Sequence, residues 1–142
     1  MTAVLSIPLR LALLIVVLPL AGCGKSGVNR VAVSGKVTFQ GQAVPSGMIS
    51  FTPDATKGNR GPQGLARIVD GAYSTEDNGK GSVLGPQLVE IRGVGGSGSG
   101  SGDTLPFGNG KPLFPPYRTE VDIAEENATI DFEVPASRPG AS

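Results

Sequence analysis

One sulfur and a scatter of carboxylates are the residues of this chain whose types could do chemistry. Among 142 residues there is a single Cys, Cys23, and there is no His and no Trp. A Ser-His-Asp triad, a Cys-His pair, an imidazole base and a zinc site built on His or several Cys are therefore excluded within the chain, as is an intrachain disulfide. Carboxylates remain. Asp131 and Glu133 stand two apart in an alternating stretch, which places them with Thr129 on the solvent face of one strand. A glycosidase needs two carboxyls about 5–9 Å apart across a cleft, so this pair reads as alternating surface charge. Glu76-Asp77-Asn78-Gly79-Lys80-Gly81 sets oxygen ligands beside glycines but lacks the spaced acids and terminal Glu of a calcium loop, and reads as a turn. Asp122, Glu125, Glu126 and Asn127 gather oxygens at what reads as a solvated hairpin end. Gly24-Lys25-Ser26 has the ending of a phosphate loop without the strand and loop that must precede it, and the glycines of residues 93–102 have no Lys-Ser/Thr after them. These residues define no catalytic group, cofactor site or metal ligand, and the chain is expected not to be an enzyme.

Charge narrows the partners. Twelve Lys and Arg balance twelve Asp and Glu, so no basic surface is available to neutralise a run of phosphates, and nucleic acid is not an expected partner. The 22 Gly and 12 Pro describe a loop-rich chain, while a hydrophobic content of 39% is enough to build one core.

What makes Cys23 meaningful is its setting. Residues 1–10 carry one positive charge, Leu11-Ala12-Leu13-Leu14-Ile15-Val16-Val17-Leu18-Pro19-Leu20 form an apolar run, and Ala21-Gly22-Cys23 follow. This is the pattern of an export signal, and the run is short of the roughly 20 apolar residues that span a bilayer. Leu20-Ala21-Gly22-Cys23 resembles the lipobox of bacterial lipoproteins. The resemblance implies that the Cys23 thiol receives a diacylglycerol, that the bond before it is cut, and that the freed amino group can gain a third, palmitate-type chain. Only a sulfur nucleophile can form that thioether. Residues 1–22 are then a signal peptide, and residues 23–29 are a lipidated Cys followed by a small, polar, flexible tether. Gly24, standing where the proteobacterial retention rule wants Asp, implies the outer membrane or a periplasm-facing site.

The rest of the chain must supply the elements. Val31, Val33, Val37 and Phe39 alternate with Ser34, Lys36 and Thr38, which predicts a half-buried strand. Met48-Ile49-Ser50-Phe51-Thr52 predicts a second strand with Ile49 and Phe51 inward, closed by Pro53, and residues 54–64 read as an exposed loop. Asp70-Gly71 between two short strands predicts a type I′ turn. Gln87-Leu88-Val89-Glu90-Ile91-Arg92 gives a fifth strand, and residues 93–102 form a Gly/Ser-rich loop. Residues 105–116, with Phe107, Leu113 and Phe114 among Gly and Pro, lie against an edge without a regular strand. Two more strands, residues 119–123 and 128–134, alternate across the turn at residues 124–127, and residues 135–142 form a disordered tail. About seven short strands without a helix predict a single all-β domain, an antiparallel β-sandwich over residues 30–134.

A second resemblance concerns that domain. Val33-Ser34-Gly35-Lys36-Val37, the turn carrying Gly41, Pro45 and Gly47, and the strand Ile49, Phe51, Pro53 are similar to the opening of carboxypeptidase-regulatory-like domains. Those domains have a transthyretin-like, Ig-like sandwich, and the small lipoproteins of planctomycete bacteria are especially similar. Asp70-Gly71-Ala72-Tyr73-Ser74, Gly85 before Val89-Glu90-Ile91, Pro116-Tyr117 with Thr119, and Asn127-Ala128-Thr129-Ile130-Asp131-Phe132 also match, whereas Gln87 stands where an aromatic is common. The resemblance implies a fold and an accessory role; the peptidase chemistry of the name belongs to a domain this chain lacks.

These readings lead to a membrane-anchored cell-envelope lipoprotein, held by lipid on Cys23, whose β module serves envelope structure or contact with an envelope protein. The alternative is a small-ligand, carbohydrate or calcium binding module. Tyr73, Tyr117, Phe107 and Phe114 are the aromatics that could form a contact patch if exposed, and free strand edges could accept a partner strand.

Overall fold

The computed structural model describes residues 28–77, 79–95, 110–125 and 128–136. The expected signal peptide, Cys23 and the first part of the expected tether, most of the expected Gly/Ser-rich loop, Phe107, Asn78, Glu126, Asn127 and residues 137–142 of the expected tail lie outside the described residues. Ten short strands form one hydrogen-bonded sheet: β1 (Val33–Phe39), β2 (Gln42–Ala43), β3 (Ser46–Pro53), β4 (Gly64–Val69), β5 (Ala72–Ser74), β6 (Gly85–Gly95), β7 (Lys111–Pro112), β8 (Tyr117–Ile123), β9 (Ala128–Thr129) and β10 (Phe132–Val134). The only helical element among the described residues is a 3-10 turn, Ala55–Lys57. No helix among them is long and apolar enough to cross a membrane.

Alternation dictates the faces. Val33 and Val37 of β1, Ile49 and Phe51 of β3, Ala66 and Ile68 of β4, and Val89 and Ile91 of β6 all turn to the same interior and are buried. The Asp70-Gly71 turn joins β4 to β5 with positive φ at both residues, 49° and 79°, as a type I′ turn requires.

Antiparallel pairs run through most of the sheet, from β8 through β6, β3, β4 and β5 to β1. On its other side β1 takes β9 and β10, and there the pairing is parallel: Val33 opposite Ala128, Val37 opposite Phe132. In the sheet β10 and β3 are separated by β1, β5 and β4. Yet the ring of Phe132 lies 6.4 Å from that of Phe51, and Tyr73 lies 6.0 and 6.2 Å from Phe51 and Phe132 respectively. Aromatic contact between strands so far apart requires the sheet to curl over on itself. A second ring pair, Phe39 with Phe114 at 5.0 Å, packs β1 against the segment between β7 and β8. The Tyr73 hydroxyl donates to the Ile130 carbonyl at 2.7 Å, and burial pushes its phenol pKa well up, so it stays a donor at neutral pH.

Several expectations are corrected. The alternation on either side of residues 124–127 does not make a hairpin: β8 pairs with β6, while β9 and β10 pair with β1, so the connection crosses from one margin of the sheet to the other. The C-terminal strands are consequently parallel to β1 where an antiparallel arrangement is expected, and short pieces bring the strands to ten. Residues 93–95 belong to β6 and not to the loop. Gly93 is there because the Phe114 ring lies against it, 2.7 Å from where a Cβ would sit; its composition signals close packing, not flexibility. Lys111–Pro112 pair with the end of β6 as β7, so the segment before Phe114 is partly regular. Asp54, in the expected exposed loop, is buried and caps the 3-10 turn, accepting from the Thr56 amide at 2.9 Å and the Thr56 hydroxyl at 2.6 Å.

Candidate functional site

Cys23, the one residue to which the sequence gives a role, lies outside the described residues. Within them, the outer face of β3, β6 and β8 forms an open trough of about 510 Å³. Register builds it. Ser50 of β3 stands opposite Glu90 of β6, and Glu90 stands opposite Arg118 of β8, so hydroxyl, carboxylate and guanidinium lie side by side across three strands. Arg118 Nε donates to Glu90 Oε2 at 2.7 Å, and Arg92, two residues along β6 on the same face, donates through Nε to Oε1 at 2.7 Å. The bond from Arg118, with the second from Arg92, holds the Glu90 carboxyl below the usual carboxylate range despite some desolvation.

Thr52, Gln63, Leu88, Val89, Thr119 and Glu120 complete the lining. Gln63 Nε2 donates to the Thr52 hydroxyl at 2.8 Å, and Lys57 reaches from the 3-10 turn to pair with Glu120. The loop is tied down where Asn59 Nδ2 donates to the carbonyls of Leu84 and Pro86. Leu88, 43% exposed, adds an apolar surface beside these polar groups. The arrangement offers hydroxyl and amide donors, charge-paired acceptors and one apolar wall.

The carboxylates singled out from sequence do other work. Asp131 Oδ1 accepts from the Lys36 amide at 2.7 Å, and Glu133 accepts from the Thr38 hydroxyl and from the Gly41 amide at 3.1 Å. Both clamp the C-terminal strands to β1. The Thr38 hydroxyl, then the Gly41 amide, holds the Glu133 carboxyl below its usual range. Among the described residues no three Asp, Glu or Cys side chains converge as a metal site, and Asp122 and Glu125 are exposed, their neighbours Glu126 and Asn127 lying outside that set. Of the aromatic candidates, Tyr73 and Phe114 are buried in the core, Tyr117 is half-buried against it, and Phe107 lies outside the described residues. Gln87 is fully buried, its Nε2 donating to the Val83 carbonyl at 2.9 Å and its Oε1 without a protein partner.

Sequence reading passed over Glu90, Arg92 and Arg118. The period-two pattern marks them as outward, but nothing in it says that β6 and β8 are neighbours in the register that joins them.

The lowered carboxyls of Asp54, Glu90 and Glu133 set a pH dependence. Their ionised forms are favoured in the folded state, so their stabilisation is fully present above the unfolded values of about 4 and is lost as pH falls through the lower folded values. The thermal midpoint is expected to be flat above about pH 5 and to fall below about pH 4; a midpoint unchanged down to pH 2.5 would mean that these carboxylates carry no net stabilisation.

Comparison with protein-family models, with curated proteins and with solved structures finds no match for this chain.

Proposed function

We propose that this chain is a non-enzymatic cell-envelope lipoprotein, anchored to a membrane by lipid on Cys23, whose β module serves structural or protein-contact roles. One observation carries the reading: the chain's only cysteine ends Leu20-Ala21-Gly22-Cys23 directly after an apolar run too short to span a bilayer. Two acyl chains at about 0.8 kcal/mol per buried methylene anchor stably, where one is marginal. The curl of the sheet, with Phe51 facing Phe132 across the interior, supports the further reading of the module as a transthyretin-like sandwich. The test is metabolic labelling of the full chain with an alkyne-bearing palmitate in a bacterial host. Label on the N-terminal peptide that begins at Cys23 is the expected result; an unlabelled chain recovered from the soluble fraction would contradict it.

The trough over β3, β6 and β8 favours a second reading, a small-ligand or carbohydrate binding module. Ser50, Thr52, Gln63 and the Glu90–Arg118 pair are groups that hydrogen-bond sugar hydroxyls, and Leu88 can pack on a ring face. Saturable heat with mono- and oligosaccharides, abolished by Glu90→Gln, is the result that reading requires; absence of heat across such a panel and with calcium would remove it.

A further inference from the structure

β8 forms one margin of the sheet. It pairs with β6 along its whole length, Tyr117 opposite Ile91 through Ile123 opposite Gly85, and among the described residues no strand pairs with its other side. A free edge presents unpaired N–H and C=O groups, and natural edges are usually guarded by Pro, by charged side chains, Lys above all, by a bulge or by a covering segment. β8 contains no Pro and no Lys, its register with β6 has no interruption, and its outward row holds both signs: Arg118, Glu120 and Asp122. Of its inward row, Tyr117, Thr119 and Val121 are only half-buried while Ile123 is buried, and Tyr117 and Val121 pack on the core.

The five residues Tyr117-Arg118-Thr119-Glu120-Val121 are complementary to themselves read backwards. We propose that β8 is a pairing edge for a second copy of this chain, antiparallel about a two-fold axis at Thr119. In that register Arg118 of each copy faces Glu120 of the other, Tyr117 faces Val121, and Thr119 faces itself. Both rows are satisfied at once: opposite charges on the outer face, an aromatic against a β-branched residue on the inner. A slip of one residue would set inward against outward side chains. Two-fold registers centred one residue to either side set Glu120 against Glu120 or Arg118 against Arg118. Pro116, without an N–H, ends the ladder beyond Tyr117.

The charges are placed to extend across such a seam. Arg118 and Glu120 keep 69% and 60% of their side chains exposed while touching Glu90 and Lys57 respectively. Pairing would join Lys57 and Glu120 of one copy to Arg118 and Glu90 of the other, a row of alternating sign. This inference deepens the protein-contact part of the reading above and rests on it, without requiring acylation of Cys23.

The test uses the full chain in detergent micelles with Thr119→Cys, mild oxidant and a non-reducing gel. Opposed Cα atoms of an antiparallel pair lie about 4.5–5.5 Å apart, within disulfide reach. A product of twice the chain mass, with the position-119 peptide linked to itself, is expected, and it is absent from the native chain. Adding Arg118→Glu or Glu120→Arg should lower cross-linking by about tenfold in each variant alone. Mixing the two variants should restore it, because one then carries two acids and the other two bases. No cross-link from Thr119→Cys while circular dichroism remains β-rich, or equal cross-linking of single and mixed variants, would overturn the proposal. Acyl mass on Cys23 with no cross-link would overturn pairing and leave the anchor standing; a cross-link with an unmodified Cys23 would do the reverse.

Discussion

Cys23→Ala is expected to remove all acyl label from the protein and to shift it from the detergent phase to the aqueous phase when a Triton X-114 extract is warmed through its cloud point. The effect should be close to complete, because no other residue of the chain can form the thioether: Cys23 is its single cysteine. Each buried methylene contributes about 0.8 kcal/mol, so loss of two acyl chains removes far more binding free energy than any surface contact of the module could replace. The leader that stays uncleaved in this variant offers twelve uncharged residues from Leu11 to Gly22, well under the roughly 20 that hold a helix across a bilayer. A variant that keeps its acyl label, or that partitions like the native chain, would show that Cys23 is not the anchor.

The second large effect lies in the fold. Gly35→Ala, in the middle of β1, is expected to destabilise the module by roughly 3 kcal/mol, the upper end for forcing extra atoms into a packed site. A Cβ at Gly35 would fall well inside van der Waals distance of the Ile130 carbonyl oxygen, and close to Asp131 Oδ1 as well. That carbonyl accepts from Tyr73, and the Asp131 carboxylate accepts from the Lys36 amide, so the methyl group would push apart the region where β5, β1 and the C-terminal strands meet. Gly41→Ala is the control: nothing lies within 4 Å of its added Cβ, and only its φ of 74° is unfavourable, which costs about 1–2 kcal/mol. Urea midpoints measure both. Equal losses for the two variants would mean that the close approach at Gly35 does not hold the C-terminal strands.

Much of the fold was legible because burial on one face imposes a period of two. Val33 and Val37, Ile49 and Phe51, and Val89 and Ile91 could be assigned inward before any neighbour was known, and Asp70-Gly71 declared its turn through the backbone conformation it requires. Alternation carries no record of partners, however. It places Asp131 and Glu133 on an outer face, but not against β1; it marks residues 119–123 and 128–134 as strands, but not on opposite margins of the sheet. Glycine is ambiguous in another way: Gly93 is small to admit Phe114, while the glycines after it gave the same compositional signal of a loop. Asp54 was hidden because a polar residue in a polar stretch gives no sign that its own carboxylate will satisfy Thr56 and allow burial. The trough was illegible for the same reason as the C-terminal pairing, since Ser50, Glu90 and Arg118 meet only through the registers of three strands.

Where the module works turns on the proposed lipid anchor, and intact and N-terminal-peptide mass spectrometry of the protein extracted from native membranes is its sharpest test. The expected result is a chain that begins at Cys23 and carries the mass of a diacylglycerol, with or without a third acyl chain. A chain with an unmodified N-terminus, recovered free of the membrane, would contradict it.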